Sequence, residues 1–465
     1  MNNKLINELC QLIEIPSVYN EEPVENGPFG AEVKRALEKV LEIGSNLGFS
    51  IKNYNGYAGE LTMGNGTYII GVLCHVDVVA AGTGWETDPF KPLIKDGKLF
   101  GRGSSDDKGP LIASLFAIKR IVDEGNLPEN VSIRVIIGTN EEESWEGINY
   151  YVNVVDRFPD VSIVPDGAFP VIYCEKGLYD LDITYNNKET GAKEIQLIEL
   201  YGGEGRNVVA PKCICILRVR EDLVEKVAKQ LETIIAEKNF DGEVTFDNSF
   251  IRINIHGRSA HAMAPEKGIN GVSQMMVVLE KCCQYEFSHQ DYIMGYLKKI
   301  GLDYNGKRGG FGFEDADSGK LTFNVGKVQL DKYGNVILTS NIRYPATMAF
   351  ETVRASIADS LGEVGFALTD VDHLPPVSFD RNGALIRTLM KVYQSVTGDK
   401  KSMPIAMGGA TYARAIPNAV SFGPLFPYEE ELAHEANEYI SLDSLEKAEE
   451  IYYQALLELA TRKDK

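Results

Sequence analysis

TYIIGVLCHVDVV, residues 67–79, decides the fold class. From Tyr68 to Cys74 the stretch is almost entirely apolar and rich in β-branched residues, the composition of a strand covered on both faces, as in the parallel sheets of α/β proteins. The run stops at His75-x-Asp77, so polar chemistry begins where the apolar pattern ends. Working outward, VSIRVIIGT (131–139) is a second run of this kind and VSIVPDG (161–167) a third. Between the first two, KGPLIASLFAIKRIVDEG (108–125) has helical periodicity and halts at Gly125. Upstream, FGAEVKRALEKVLEIGSNLGF (29–49) places Val33, Leu37, Val40 and Leu41 on one helical face. Three apolar strands thus finish in acids or an imidazole, and loops beyond strand ends are where open α/β sheets carry their sites.

After EKG at 175–177 the pattern changes to alternating strands, LYDLDITY (178–185), CICILRVR (213–220) and FIRINIHG (250–257), with an amphipathic helix, EDLVEKVAKQLETIIAEKN (221–239), among them. Residues 250–372 read strand, helix, strand, strand, helix, strand, the order of a ferredoxin-like sandwich. Residues 301–320, rich in Gly and Asp and without period, read as an exposed loop. Past HLPPVSFD (373–380) the α/β pattern resumes with the helices ALIRTLMKVYQSVTG (384–398) and SLDSLEKAEEIYYQALLELATR (441–462). The expected architecture is α/β: a domain split into 1–177 and 378–465 around an α+β insertion, 178–377, with an extra lobe over 178–249 and a ferredoxin-like lobe over 250–377.

Composition narrows the function. With 44% hydrophobic and 25% charged residues and no apolar run long enough to span a bilayer, the chain is expected to have no membrane partner. The N-terminal MNNKLINELCQLIEIPSV has Glu8 and Glu14 inside its apolar pattern and reads as a helix rather than a leader, so the expected compartment is the cytoplasm. A net charge of -20 repels a phosphate backbone and excludes nucleic acid as a natural partner. The seven cysteines form no CxxC pairs and are expected as reduced, buried thiols. No GxGxxG follows a strand, which leaves a nucleotide-dependent oxidoreductase without support.

Acids and imidazoles carry the chemistry. In His75-x-Asp77 one side chain can ligate a metal while the other orients it. GRGSSDDKGP (101–110) sets two aspartates before a helix, where a cation or several donors must answer their charge; one of Asp106 and Asp107 can also cap the helix. We assign Asp106 to metal. GTNEEESWEG (138–147) puts three glutamates directly after a strand, either a solvated acidic turn or a ligand beside an unligated carboxylate that accepts a proton.

Taken in order, His75-x-Asp77, GRGSSDDKGP, NEEE, VPDGAFPVIYCEKG (164–177), GRSAHAMAPEKGIN (257–270), GGATYARAIPN (408–418) and AHEANEYI (433–440) resemble the M20 metallopeptidase family, and most of all its dipeptidase V branch. The resemblance implies a split catalytic domain, a mixed sheet sandwiched by helices, with the insertion as a lid. It implies two Zn²⁺ per chain, for which Mn²⁺ or Co²⁺ could substitute: His75 and Asp166 on one ion, Glu142 and His434 on the other, Asp106 bridging both. Glu141 would be the general base toward water whose pKa the ions lower to about 7, and Asp77 would support His75. The triple glutamate leaves a one-residue ambiguity between base and ligand. The resemblance also implies a cis bond between Asp106 and Asp107, a role for His261 at the developing oxyanion, and Asn207, Arg343, Gly409 (with Gly408 and Ala410) and Thr411 as contacts to a small peptide's carbonyl and carboxylate. The expected reaction is zinc-dependent hydrolysis of unmodified dipeptides, β-alanyl dipeptides among them, by a monomer in which the extra lobe replaces a dimer partner. The alternatives are an N-acyl amino acid deacylase or desuccinylase, and an inactive metal-containing peptide-binding protein.

Overall fold

A computed structural model describes residues 3–188 and 191–461. The chain forms two compact units: Met1–Tyr173, Phe379–Ala406 and Ala410–Lys465 make the first, and Cys174–Ser378 with Met407–Gly409 the second. The three residues Met407–Gly409 join the second unit because the Lys176 amide donates to the Met407 carbonyl at 3.0 Å and Arg343 Nη1 to the Gly408 carbonyl at 3.1 Å.

The sheet of the first unit is mixed, ordered Ser50–Tyr54, Ala58–Met63, Val131–Gly138, Tyr68–His75, Val161–Val164, Ala419–Ser421 and Ile172–Glu175. Tyr68–His75 runs parallel to both its neighbours, and Ala419–Ser421 continues the parallel set; the flanking pairs are antiparallel. Every residue from Ile69 to His75 is buried, which is why this strand shows no polar alternation. Helix Lys108–Asp123 is buried continuously from Lys108 to Ile118 and packs against helix Leu442–Thr461, so apolar residues surround it rather than forming one stripe. Helix Ala31–Leu47, by contrast, buries Val33, Ala36, Leu37, Val40, Leu41, Gly44 and Leu47 at the three- and four-residue spacing of one face. It stops at Gly48, whose φ of 93° is a left-handed cap that most side chains resist.

Gly138, paired in register with His75, meets a different demand. A Cβ there would lie 2.1 Å from the buried Tyr412 hydroxyl, and the Tyr412 ring is itself set edge-on to Trp145 (5.3 Å) and His75 (6.3 Å). Overpacking of this kind costs about 1–3 kcal/mol. Gly138→Ala should therefore lower the thermal unfolding midpoint measured by differential scanning fluorimetry, and an unchanged midpoint would count against this packing.

In the second unit an antiparallel sheet is ordered Asp241–Asp247, Phe250–His256, Lys212–Val219, Ile195–Gly202, Thr322–Leu330, Val336–Tyr344, Gly177–Tyr185 and Phe366–Leu374. Ile251, Ile253 and Ile255 are buried between outward-facing neighbours, the period of two that a one-sided sheet requires. One core joins these strands to helices Val224–Glu237, Gly271–Leu279, Gln290–Lys299 and Phe350–Gly362. The strands do not group by the stretches 178–249 and 250–377. Gly177–Tyr185 lies between Val336–Tyr344 and Phe366–Leu374, whereas Phe250–His256 pairs with Lys212–Val219 and Asp241–Asp247. The four-strand set compatible with a ferredoxin-like unit therefore takes its first strand from Gly177–Tyr185, not from residue 250 onward. Among the described residues the two halves of the sheet meet through two residue pairs, Tyr201 with Gln329 and Gly202 with Val328.

The segment 301–320 is not the featureless loop that its composition suggests. Phe311 is buried against Phe323, and Glu314–Asp315 pairs with Gly319–Lys320 as a small hairpin. Two aromatic side chains, Phe311 and the partly buried Phe313, pin a polar segment that has no period of its own. Among the described residues no helix is long and apolar enough to cross a membrane.

Candidate metal centre

Because Tyr68–His75, Val131–Gly138 and Val161–Val164 are parallel neighbours, their carboxyl ends open on the same edge of the sheet. That edge receives His75 from the first strand, the glutamate turn from the second and Asp166 from the third. Asp106 arrives on the turn before helix Lys108–Asp123, and His434 on the segment after Ala419–Ser421. Asp106 Oδ1 lies 3.0 Å from His75 Nε2, and its Oδ2 lies 3.2 Å from His434 Nε2. Asp166 Oδ2 is 3.9 Å from His75 Nε2, and Glu142 Oε2 is 2.9 Å from His434 Nε2. Two groups result, His75–Asp106–Asp166 and Asp106–Glu142–His434, each with one donor atom per residue and all donor atoms within 4.8 Å of one another. Asp106 belongs to both.

The supporting contacts differ in part from expectation. His75 Nδ1 lies 3.0 Å from the Asp77 backbone carbonyl and 3.5 Å from its carboxylate, so the carbonyl is the closer acceptor that leaves Nε2 facing the group. Asp77 Oδ2 instead accepts the Glu142 amide at 3.0 Å, tying the first strand end to the glutamate turn. Strand Tyr68–His75 ends before Asp77, so strand alternation does not set the pairing of these two residues. Asp107 occupies the N-cap position but makes no side-chain cap; its Oδ2 accepts the His75 amide at 3.1 Å. The Asp106–Asp107 peptide is cis. Asn140 shapes the glutamate turn, its Oδ1 accepting from Ser144 Oγ (2.9 Å) and the Glu146 amide (3.0 Å).

Charge crowding dominates the electrostatics. Burial, followed by the neighbouring Asp106, pushes the Asp166 carboxyl up to about 7. The same two causes raise Glu142, and burial with Asp166 raises Glu141 well above the usual range. Burial opposes charge on His434, yet its bonds to Asp106 and Glu142 push the ring up to about 11, and Asp106 and Asp77 likewise raise His75. Burial works against the Asp106 carboxylate too, but the two imidazoles hold it well below its ordinary range. Acids this close repel one another when ionised, and either protons or positive charge among them relieves the repulsion. Imidazole nitrogens mixed with carboxylate oxygens are a donor set that fits divalent zinc, manganese or cobalt. Glu141 stands outside both groups of three, although the charges of Asp166, His75 and Glu142 act on it.

Two residues that the sequence did not single out, Arg102 and Glu438, are buried behind Asp106 and His434. An acid within AHEANEYI looks like any polar loop residue, and a pairing partner 336 positions away leaves no local signal.

In the second unit, Asn207 and His261 sit on adjoining segments: Val208 bridges His261, and the Ala262 amide donates to the Asn207 carbonyl at 2.8 Å. Both side chains are exposed. Asn324 Nδ2 holds the turn through the Arg206 and Val208 carbonyls, each at 2.9 Å. Arg343 is only 5% exposed, with Nε on Asn341 Oδ1 (2.9 Å) and Nη1 on the Gly408 carbonyl (3.1 Å), so one of its contacts fixes the glycine pair that includes Gly409. Thr411 lies in the first unit. It is buried, and its Oγ1 accepts the Ala413 amide at 3.1 Å and lies 2.7 Å from Ser421 Oγ, so the hydroxyl serves as a helix cap inside the fold.

Comparison with known proteins identifies the family. Residues 71–458 match the model of peptidase family M20/M25/M40. The Bacillus subtilis protein named "Putative dipeptidase YtjP" is 34% identical over 458 residues, covering 98% of this chain and 97% of its own. Among solved structures, human carnosine dipeptidase 1 superposes with a TM-score of 0.58 at 16% identity, covering 99% of this chain and 96% of its own. The M20 family metallo-carboxypeptidase Sso-CP2 of Sulfolobus solfataricus gives the same TM-score at 17% identity, covering 99% of each chain. The chain therefore belongs to peptidase family M20/M25/M40.

Proposed function

We propose that this protein hydrolyses the peptide bond of unmodified dipeptides, with two divalent cations, zinc foremost, held by His75, Asp166 and Asp106 on one side and by Glu142, His434 and Asp106 on the other. The observation that carries the reading is the division of one carboxylate: the two oxygens of Asp106 face two different imidazoles, at 3.0 and 3.2 Å. When bound, such a cation pair polarises the amide carbonyl and lowers the pKa of water to about 7. Glu141 then takes the proton from the attacking water and returns it to the departing amine nitrogen. Asp77 keeps His75 in one tautomer and fixes the Glu142 backbone. In the second unit, His261, Asn207, Arg343 and the Gly408–Gly409 backbone are assigned to substrate by the family resemblance: an imidazole can donate to a carbonyl oxygen as it gains charge, and a guanidinium fork suits a free carboxylate. The full-length relationship to a protein named as a dipeptidase favours that substrate class.

The test is a substrate screen on chelator-stripped and zinc-reloaded protein, with alanyl and β-alanyl dipeptides set beside tripeptides, N-acetyl and N-succinyl amino acids. Dipeptides are expected to turn over only in the reloaded protein. Turnover confined to N-acyl amino acids would make the protein a deacylase, and tight peptide binding with no turnover would make it a binding protein.

A further inference from the structure

Glu438 is 0% exposed and Arg102 1%, an ion pair closed at 2.8 Å between Nη1 and Oε2. Burying two charges is costly unless their hydrogen-bonding capacity is met; here the carboxylate is met by the turn that carries Asp106 and the guanidinium in part by the His434 carbonyl, while Arg102 Nε has no partner among the described residues. Glu438 Oε2 also accepts the Gly103 amide (3.0 Å); Oε1 accepts the Ser105 amide and hydroxyl (both 2.9 Å) and the Asp106 amide (3.2 Å). One carboxylate thus gathers the whole turn from Arg102 to Asp106. Arg102 Nη2 donates to the His434 carbonyl at 3.1 Å, and the guanidinium lies 5.3 Å from the centre of the Trp85 ring. His434 has φ 68°, a left-handed backbone that is uncommon for a residue with a side chain and persists only where its surroundings enforce it.

We infer that Arg102 and Glu438 are positioning residues that set the distance between Asp106 and His434, and that Arg102 in particular governs the affinity of the Asp106–Glu142–His434 group for its cation. This rests on the proposal that the two groups hold metal. Neither residue belongs to a group. Glu438 acts through the Asp106 turn, which both groups share, whereas Arg102 alone reaches the backbone of His434, which only one group contains. The planar fork of Arg102 serves Glu438 and His434 together, and a lysine ammonium, a point charge, can replace the first contact but not both.

The two variants should therefore differ in kind. Chelator-stripped protein would be titrated with Co²⁺ by calorimetry, with visible absorption reporting each site, after thermal unfolding has established that each stripped variant is folded. Arg102→Lys should raise the dissociation constant of one class of site about 10- to 100-fold, the range typical of lost orienting contacts, and leave the other within about threefold. Glu438→Gln should weaken both. Should neither variant fold, Ser105→Ala removes a single contact to Glu438 and should weaken both classes a few-fold, with unchanged values overturning the inference. Equal shifts of both classes in Arg102→Lys, or none, would mean that the pair only stabilises the fold. Wild-type protein that takes up fewer than two ions would remove the metal reading itself, and this inference with it.

Discussion

Glu141→Gln is expected to lower kcat for dipeptide hydrolysis by about 10²- to 10⁴-fold, the range a general base contributes, with KM changed only a few-fold and both ions retained. The substitution keeps the volume of the side chain and removes its ability to accept a proton. Retention of metal follows from geometry, because Glu141 is absent from both donor groups while its neighbour Glu142 lies 2.9 Å from His434 Nε2. The loss of rate follows from its surroundings: burial and the nearby Asp166 hold the Glu141 carboxyl well above its ordinary pKa, so it accepts a proton more readily than a free carboxylate does. Metal analysis beside steady-state kinetics checks both halves. If Glu141→Gln lost an ion and Glu142→Gln kept both, base and ligand would have to exchange places within the triple glutamate.

Much of this centre was legible in the sequence, for a definite physical reason. His75, the glutamates and Asp166 each follow an apolar strand buried on both faces, so the end of the apolar run marks the edge of the sheet without knowledge of tertiary structure. What was not legible depends on contacts that sequence proximity does not encode. Asp107 looked like a helix cap, and its carboxylate turns instead to the His75 amide. Asp77 looked like a carboxylate partner of His75, and its carbonyl does that work while its carboxylate holds Glu142. Thr411 gave no local sign that its hydroxyl caps the short helix Tyr412–Arg414. In the second unit the strand alternation was plain, but pairing was not: Gly177–Tyr185 joins strands more than 150 residues later, a choice made by the shared core rather than by local pattern. Glu438 needed the most context, since its five donors come from the turn spanning Arg102 to Asp106.

Asp106→Asn should have the broadest effect of any single substitution in the centre. A carboxamide keeps one carbonyl oxygen and turns an NH₂ toward the other imidazole, so it cannot offer two anionic oxygens to two ions. Both groups then lose their common member, and affinity should fall at both sites by more than the roughly 10- to 100-fold that follows loss of an orienting contact alone. Hydrolysis should drop to background. The sharper readout is thermal, because an ion that binds only the folded chain stabilises it by about 2.7 kcal/mol per site at a hundredfold excess over the dissociation constant. A hundredfold weaker site at the same ion concentration contributes only about 0.4 kcal/mol. The zinc-dependent rise of the unfolding midpoint should therefore nearly vanish in Asp106→Asn, when each protein is compared with its own chelator-stripped form so that any direct effect of the substitution cancels. A variant that lost activity yet kept the full zinc-dependent rise and two bound ions would show that Asp106 bridges nothing, and its position between the two imidazoles would need another explanation.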